Sequence, residues 1–323
     1  MITTHFKIGL RNITKNKGFF ALNAGGLIIG LTAVILISLW VFSELNFNKD
    51  IKNYDNIVSV MQHQTRKGEV NTYTGQPWQM APTLREEFSN HFKYLVTSSR
   101  ESEFNLKYNE EMLLADGRFA EPDLVNILDL EMLSGNRNGL KDISSILLSE
   151  STAKNVFGEE DPMNKTLKIN GALDVKVVGV YKDISNNTTF KNLNFIAPWS
   201  LLAKNGGYEE RLGWGNYWFQ VYAQLNDGSK IDNVSSLIKN TFHKHYINRS
   251  KENNYEVFLN PMSKWHLYSK FENGISVGGR ILYVKIFSII GIFILLLACI
   301  NFMNLSTAPV SYTHLTLPTT PYV

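Results

Sequence analysis

The chain has 323 residues, a formal net charge of +3 and a single cysteine, Cys299. One cysteine excludes a disulfide framework, so any folded part stands on its hydrophobic core. After residue 18 there are 28 basic and 29 acidic residues, and the missing basic excess argues against a nucleic-acid partner.

The mean hydropathy of −0.13 resembles that of a soluble protein, but it averages a polar middle with two uncharged ends. Gly18–Ser43 and Ile286–Val323 contain no Lys, Arg, Asp or Glu. Residues 1–17 carry Lys7, Arg11, Lys15 and Lys17 and no acid. Ile2, Phe6, Leu10 and Ile13 share one helical face while Lys7, Arg11 and Lys15 line another. That pattern predicts an amphipathic helix lying on the cytoplasmic membrane surface.

Residues 18–43 read as the first transmembrane helix. The 24 mostly apolar residues from Phe19 to Phe42 would make a helix ~36 Å long at about 1.5 Å per residue, enough to cross a bilayer. The run exceeds the apolar core of a secretory signal, about 7–15 residues, and no small-x-small site precedes a polar start, which predicts an uncleaved anchor. The basic flank places the N-terminus in the cytoplasm and the following domain outside. Ala21, Gly25, Gly26 and Gly30 fall at small-xxx-small spacings, predicting a face on which another helix packs closely.

Residues 44–280 read as an outer domain of α+β class. Strands are expected at Ile57–His63, Phe92–Ser98, Ile146–Leu148 and Trp218–Leu225, and a late one at Tyr255–Leu259. Pro82 starts a short helix through Phe88, and Ser149 caps a helix that Gly158 stops. Thr166–Ile169 and Val175–Tyr181 flank Asn170-Gly171, a strong hairpin dipeptide. Val234, Leu237, Ile238, Phe242 and Tyr246 mark an amphipathic helix.

Two motifs in this domain invite chemistry. Gly274-Ile-Ser-Val-Gly278 matches a nucleophile elbow, which needs a strand before it, a helix after it, and an acid and a histidine later in the chain. No Asp or Glu follows Glu272, so the match reads as a flexible joint before the second span. His243 and His245 would point about 200° apart on a helix and could not chelate one ion. There is no G-x-x-x-x-G-K-[ST] loop for nucleotide phosphates. No catalytic, cofactor-binding or metal-ligating residue is therefore nominated, and the chain is not read as an enzyme. Tyr208 and Trp214 fit a core role as well as a contact role. Residues 281–304 read as the second transmembrane helix, with Cys299 inside it as a small packing residue, and residues 305–323 as a tail.

Four ordered blocks carry a family resemblance. They are FKIGLRNITKNKGFFALNAGGLIIGL from Phe6, ILLSESTAKNVFGEEDPMNKTLKIN from Ile146, VVGVYKDISNNTTF from Val177 and ACINFMNLSTA from Ala298. From Phe6 to about Ala308 the chain resembles the MacB/FtsX-type ABC transporter permeases, in particular the long ones common in Bacteroidetes. The resemblance implies a bacterial inner-membrane permease with a two-lobed α+β periplasmic domain. It implies a cytoplasmic ABC ATPase subunit that binds the ATP, a second permease subunit or half, and in some members a periplasmic adaptor. Its work would be mechanical, for export of a peptide, antibiotic or lipoprotein or for envelope signalling. After Ala308 the sequence PVSYTHLTLPTTPYV departs from the family pattern, and the tail reads as non-native or truncated. The competing reading is a two-span membrane sensor, a chemoreceptor or sensor kinase with an extracytoplasmic ligand-binding domain. A third is a membrane-anchored hydrolase.

Overall fold

Turn dipeptides organise the middle of the chain. Lys67-Gly68, Asn170-Gly171 and Asn273-Gly274 all have positive φ at both residues, the backbone that a tight hairpin with right-twisted strands requires. The computed structural model describes residues 17–208, 212–246 and 253–307. The surface helix expected over residues 1–17 lies outside them save for Lys17, and so does the tail expected over residues 305–323 save for residues 305–307, which continue the second apolar helix. Among the described residues, the apolar helices α1 (Lys17–Leu45) and α9 (Ile281–Thr307) form one compact unit and Asn46–Arg280 forms another.

The strands of the larger unit are β1 (Ile57–Arg66), β2 (Glu69–Tyr73), β3 (Phe92–Ser98), β4 (Ser102–Tyr108), β5 (Glu111–Ala120), β6 (Met132–Gly135) and β7 (Ser145–Ser149). They continue as β8 (Thr166–Ile169), β9 (Leu173–Tyr181), β10 (Phe195–Pro198), β11 (Gln220–Leu225), β12 (Asn254–Pro261), β13 (Lys270–Glu272) and β14 (Ile275–Gly278). The main sheet runs β10-β7-β9-β8-β4-β5-β3-β11-β1-β12. Strand β10 also pairs with β5, in parallel, with Phe195 opposite Gly117. Six strands thus close into a ring, while β3, β11, β1 and β12 continue as an open antiparallel sheet.

Period-two burial distributes the side chains into three large cores and one small one. Leu106, Phe119, Ile146, Leu148, Val177 and Phe195 pack together among the ring strands. They also meet α4 (Glu150–Phe157) through Val156 and Phe157. Val58, Val60, Leu95, Val221 and Ala223 pack against α2 (Met80–Glu87), α6 (Ile231–Ile238) and α7 (Thr241–His245). The alternate residues Ile57, Val96 and Tyr222 of the open sheet join Leu147, Tyr181 and Ile196 of the ring in a third core. That core also takes Leu124 and Ile127 from α3 (Leu124–Ile127) and Met262 from α8 (Met262–Trp265). Another short helix, α5 (Trp199–Gly206), carries Trp199 against Phe219.

Several local expectations hold. Ser149 Oγ accepts from the Thr152 N–H at 3.3 Å, and Gly158, at φ 61°, donates to the Lys154 carbonyl at 2.8 Å. Helix α2 begins at Met80, two residues before Pro82, which sits in the first turn where its missing N–H costs nothing. The strand expected from Trp218 begins at Gln220 and leaves Trp218 exposed.

Two expectations are corrected. The helix expected from Val234 to Tyr246 is broken into α6 and α7. The Lys239 carbonyl accepts from the Val257 N–H of β12 at 3.0 Å, and the Ile238 carbonyl accepts from Thr241 Oγ1 at 2.7 Å. Both acceptors bond outside an α-helical ladder, so the helix cannot continue. The joint expected at Gly274–Gly278 is an ordered hairpin strand, because Asn273-Gly274 forms a tight turn between β13 and β14.

Candidate functional site

The two chemical motifs resolve into ordinary contacts. Gly274–Gly278 supplies a turn residue and a strand, where an elbow needs a strand, a turn and then a helix. Ser276 Oγ donates to the Tyr268 carbonyl at 3.1 Å. His243 Nε2 lies 2.8 Å from Asn254 Oδ1, while His245 stacks on Trp214 at 5.1 Å and meets Glu87 through its own Nε2. The two imidazoles are therefore committed to different neighbours. Among the described residues no group of three His, Cys, Asp or Glu is placed to hold a metal ion. Tyr208 and Trp214 both pack against cores.

Helices α1 and α9 meet along a seam. Asn301 Nδ2 donates to the Asn23 carbonyl at 2.7 Å. A methyl group on Gly26 would sit 3.0 Å from Asn301 Nδ2, one on Gly30 3.2 Å from Ala298 Cβ, and one on Gly291 3.2 Å from Ile37 Cγ2. Trp40 and Phe287 close the series edge to face at 5.0 Å. The pairs climb α1 as they descend α9, so the helices run antiparallel. Small residues bring the backbones close enough for this packing. Of the four residues expected to form a packing face, Gly26 and Gly30 are in the seam, whereas Gly25 meets open space and Ala21 is exposed. Their counterparts on α9, Gly291, Ala298 and Asn301, follow a 7-3 spacing that puts them on one helical face.

Arg118 on β5 is buried where the ring meets the open sheet. Its Nη1 donates to Gln220 Oε1 at 2.6 Å, the Ser99 carbonyl at 3.2 Å and Tyr222 Oη at 3.3 Å, and its Nη2 lies 3.6 Å from Glu101 Oε2. The guanidinium lies over the rings of Phe190 and Tyr222, at 5.4 and 5.9 Å. Directly after β5, Glu121 accepts from Arg85 Nη2 of α2 at 3.0 Å and from the Thr97 N–H of β3 at 2.6 Å. One cation and one anion thus tie the ring to the open sheet and to its helix. No sequence motif announces either residue, since their partners lie far along the chain.

Three titratable groups show their surroundings. Burial pushes the Tyr181 phenol well above its usual value, and its hydroxyl donates to the Leu193 carbonyl at 2.7 Å. Burial alone would raise Glu87, but hydrogen bonds from His245 and Lys244 outweigh it and hold the carboxyl below its ordinary value. Burial lowers His63, which stacks on Phe258 at 4.3 Å, with Glu256 opposing the shift and Lys239 adding to it.

A family model described as the MacB-like periplasmic core domain matches residues 20–241. The chain belongs to that family. The expected resemblance to MacB/FtsX-type permeases is thereby borne out, and the mixed α/β unit is a MacB-like core domain followed by a second apolar helix. Among solved structures, a domain assigned to a permease protein of Porphyromonas gingivalis is 20% identical with a TM-score of 0.56, covering 66% of this chain and 92% of that one. The periplasmic region of MacB from Actinobacillus actinomycetemcomitans is 15% identical with a TM-score of 0.48, covering 67% and 92%. The extracellular domain of the noncanonical ABC-type transporter YknZ from Gram-positive bacteria is 17% identical with a TM-score of 0.45, covering 63% and 100%. No curated protein matches the chain significantly. The MacB-like core has two helices in its chain, Phe20–Leu45 and Ile281–Asn304, that are long and apolar enough to cross a membrane.

Proposed function

We propose that the chain is the permease subunit of an ABC-type transporter or mechanotransmission complex of the bacterial inner membrane. The observation that carries this reading is the family match over residues 20–241, with a bilayer-length apolar helix on each side of the core domain in sequence. A cytoplasmic ABC ATPase subunit would bind and hydrolyse the ATP. A second permease subunit or half, and for some cargoes a periplasmic adaptor, would complete the assembly. The N-terminus is cytoplasmic in this reading and Asn46–Arg280 is periplasmic, its closed ring and its open sheet being the two lobes.

The work is mechanical. The glycine seam and the Asn301–Asn23 hydrogen bond would make α1 and α9 move as one piece. Three residues after α1 the Asn48 N–H donates to the Asn187 carbonyl of the domain at 2.8 Å, so displacement of the helices would pass to it over a short joint. Arg118 and Glu121 would carry the motion from one lobe to the other. The cargo is a peptide, an antibiotic or a lipoprotein, or the output is a signal to the cell envelope. The family match favours this reading over a two-span sensor.

Affinity isolation of the subunit from its native membrane should recover an ABC ATPase, and deleting that ATPase gene should abolish the associated export. Export that continued without the ATPase would overturn the reading. Single cysteines at positions 17 and 171, in a Cys299→Ser background, test the orientation in intact spheroplasts. An impermeant thiol reagent should label position 171 alone, and labelling of position 17 alone would invert the scheme.

A further inference from the structure

Strands β13 and β14 pair only with each other, as a separate two-stranded sheet. One face of this hairpin is docked. Phe271 lies opposite Ser276, and its ring is 6.3 Å from His63 and 6.2 Å from Phe258. At the tip, a methyl group on Gly274 would sit 3.0 Å from Val70 Cγ1 of β2. The other face carries Ile275 and Val277, two residues apart in an extended strand and therefore on one side. They are 69% and 50% exposed, and Ile275 is the most exposed large apolar side chain described in Asn46–Arg280.

Chain continuity says what covers this face. Val277 is four residues from Ile281, where α9 begins. Val277 and Ile275, four and six residues from Ile281, reach at most ~14 and ~22 Å from it at about 3.3–3.6 Å per residue, so the hairpin stays in the neighbourhood of the mouth of the apolar helix however the domain is turned. The headgroup layer there is ~5–8 Å deep, taken from about 40–45 Å of bilayer around a core of about 30 Å. Tyr268 and Tyr283, both exposed, bracket the segment with the aromatic rings that favour this layer. Residues 264–285 carry Lys264, Lys270, Arg280 and Lys285 and one acid, Glu272, a net positive segment. The local charge suits anionic headgroups.

We infer that the Ile275–Val277 face of the hairpin seats in the headgroup layer of the outer leaflet, with phospholipid as its occupant. The hairpin is a foot that holds the β1–β2–β12 edge of the core domain at the membrane surface through Phe271 and His63. This inference rests on the reading of α9 as a membrane span.

The test uses the full chain with Cys299→Ser and one new cysteine at position 275, 293 or 109, each carrying an environment-sensitive fluorophore. The protein is reconstituted in phosphatidylcholine–phosphatidylglycerol vesicles with and without spin-labelled lipid. Phe293 is an exposed mid-helix position and Asn109 an exposed turn residue. Position 275 should lose fluorescence to a shallow spin label and position 293 to a deep one, with little change at 109. Loss at 293 with none at 275 overturns the foot and leaves the span standing. No loss at 293 overturns the span and the foot together. A blue-shifted but unquenched signal at 275 means that protein covers the face, which also overturns the lipid assignment.

Discussion

Asn301 Nδ2 donates a 2.7 Å hydrogen bond to the main-chain carbonyl of Asn23, joining two otherwise apolar helices. Such bonds are worth about 0.6 kcal/mol on average in membranes, and up to about 1.7. Asn301→Ala should therefore weaken the pairing of α1 and α9 without abolishing it, read as disulfide yield between cysteines placed at Ile37 and Gly291. Gly30→Leu should reduce that yield much further, since Ala298 Cβ already stands 3.2 Å from where its Cβ would be. Gly25→Leu, which meets open space, should change it little. Equal losses for the two leucine variants would mean that the seam is misplaced.

Removing Arg118 should be costly. Arg118→Met would remove the donor to Gln220, the Ser99 carbonyl and Glu101 while Tyr222 and Asn192 keep their own bonds to Gln220 and Glu101, and losing hydrogen bonds to a buried charge in this way costs about 1.5–3 kcal/mol. Urea unfolding of an excised Asn46–Arg280 domain, followed by tryptophan fluorescence, measures this. Lys182→Ala, which loses only the exposed pair with Glu131, should stay within about 1 kcal/mol of the parent.

That excised domain should itself fold cooperatively. It contains no cysteine, and burial supplies its stability, so dithiothreitol and EDTA should leave its transition unchanged. The cut has to fall after Arg280, because ending at Asn273 would remove β14 and unpair β13. A transition shifted by either reagent would contradict this account of what holds the domain together.

Acidification should destabilise the domain through His63. Burial lowers its folded-state value, whereas the unfolded chain takes up the proton near pH 6.5. Between those two values the unfolded state binds more protons, so stability is fully present above about pH 6.5 and falls as the pH drops through the window. His63→Phe keeps a ring against Phe258 and should flatten the unfolding midpoint over pH 5–7. A variant as steep as the parent would assign the effect elsewhere.

Glu87 acts at lower pH. Its folded value is depressed by His245 and Lys244, so its contribution is present above the ordinary glutamate range and is lost as pH falls through the depressed value. Glu87→Gln should lower stability at pH 7 and narrow its difference from the parent below about pH 4. A difference that stayed constant with pH would show that the ion pair contributes nothing.

The local features of this protein were legible in its sequence. Two uncharged runs marked α1 and α9, Asn170-Gly171 marked a hairpin, and Ser149 and Gly158 marked both ends of α4. Each depends on residues within a few positions of one another, where backbone preference and side-chain capping act directly. The Asn273-Gly274 dipeptide marks its hairpin in the same way, although Gly274–Gly278 also fits the glycine spacing of an elbow. Tertiary structure decided the rest. Strand β10 closes the ring by pairing with β5, a strand some eighty residues earlier. The carbonyl of Lys239 turns to β12 and breaks a helix whose apolar spacing is continuous. Arg118 finds Gln220 and Tyr222 only once β5 and β11 are brought together, and Gly26 rather than Gly25 enters the seam because α9 lies on that side. A periodic pattern specifies which face of an element is apolar, but the partner that covers it is chosen by packing among segments distant in sequence.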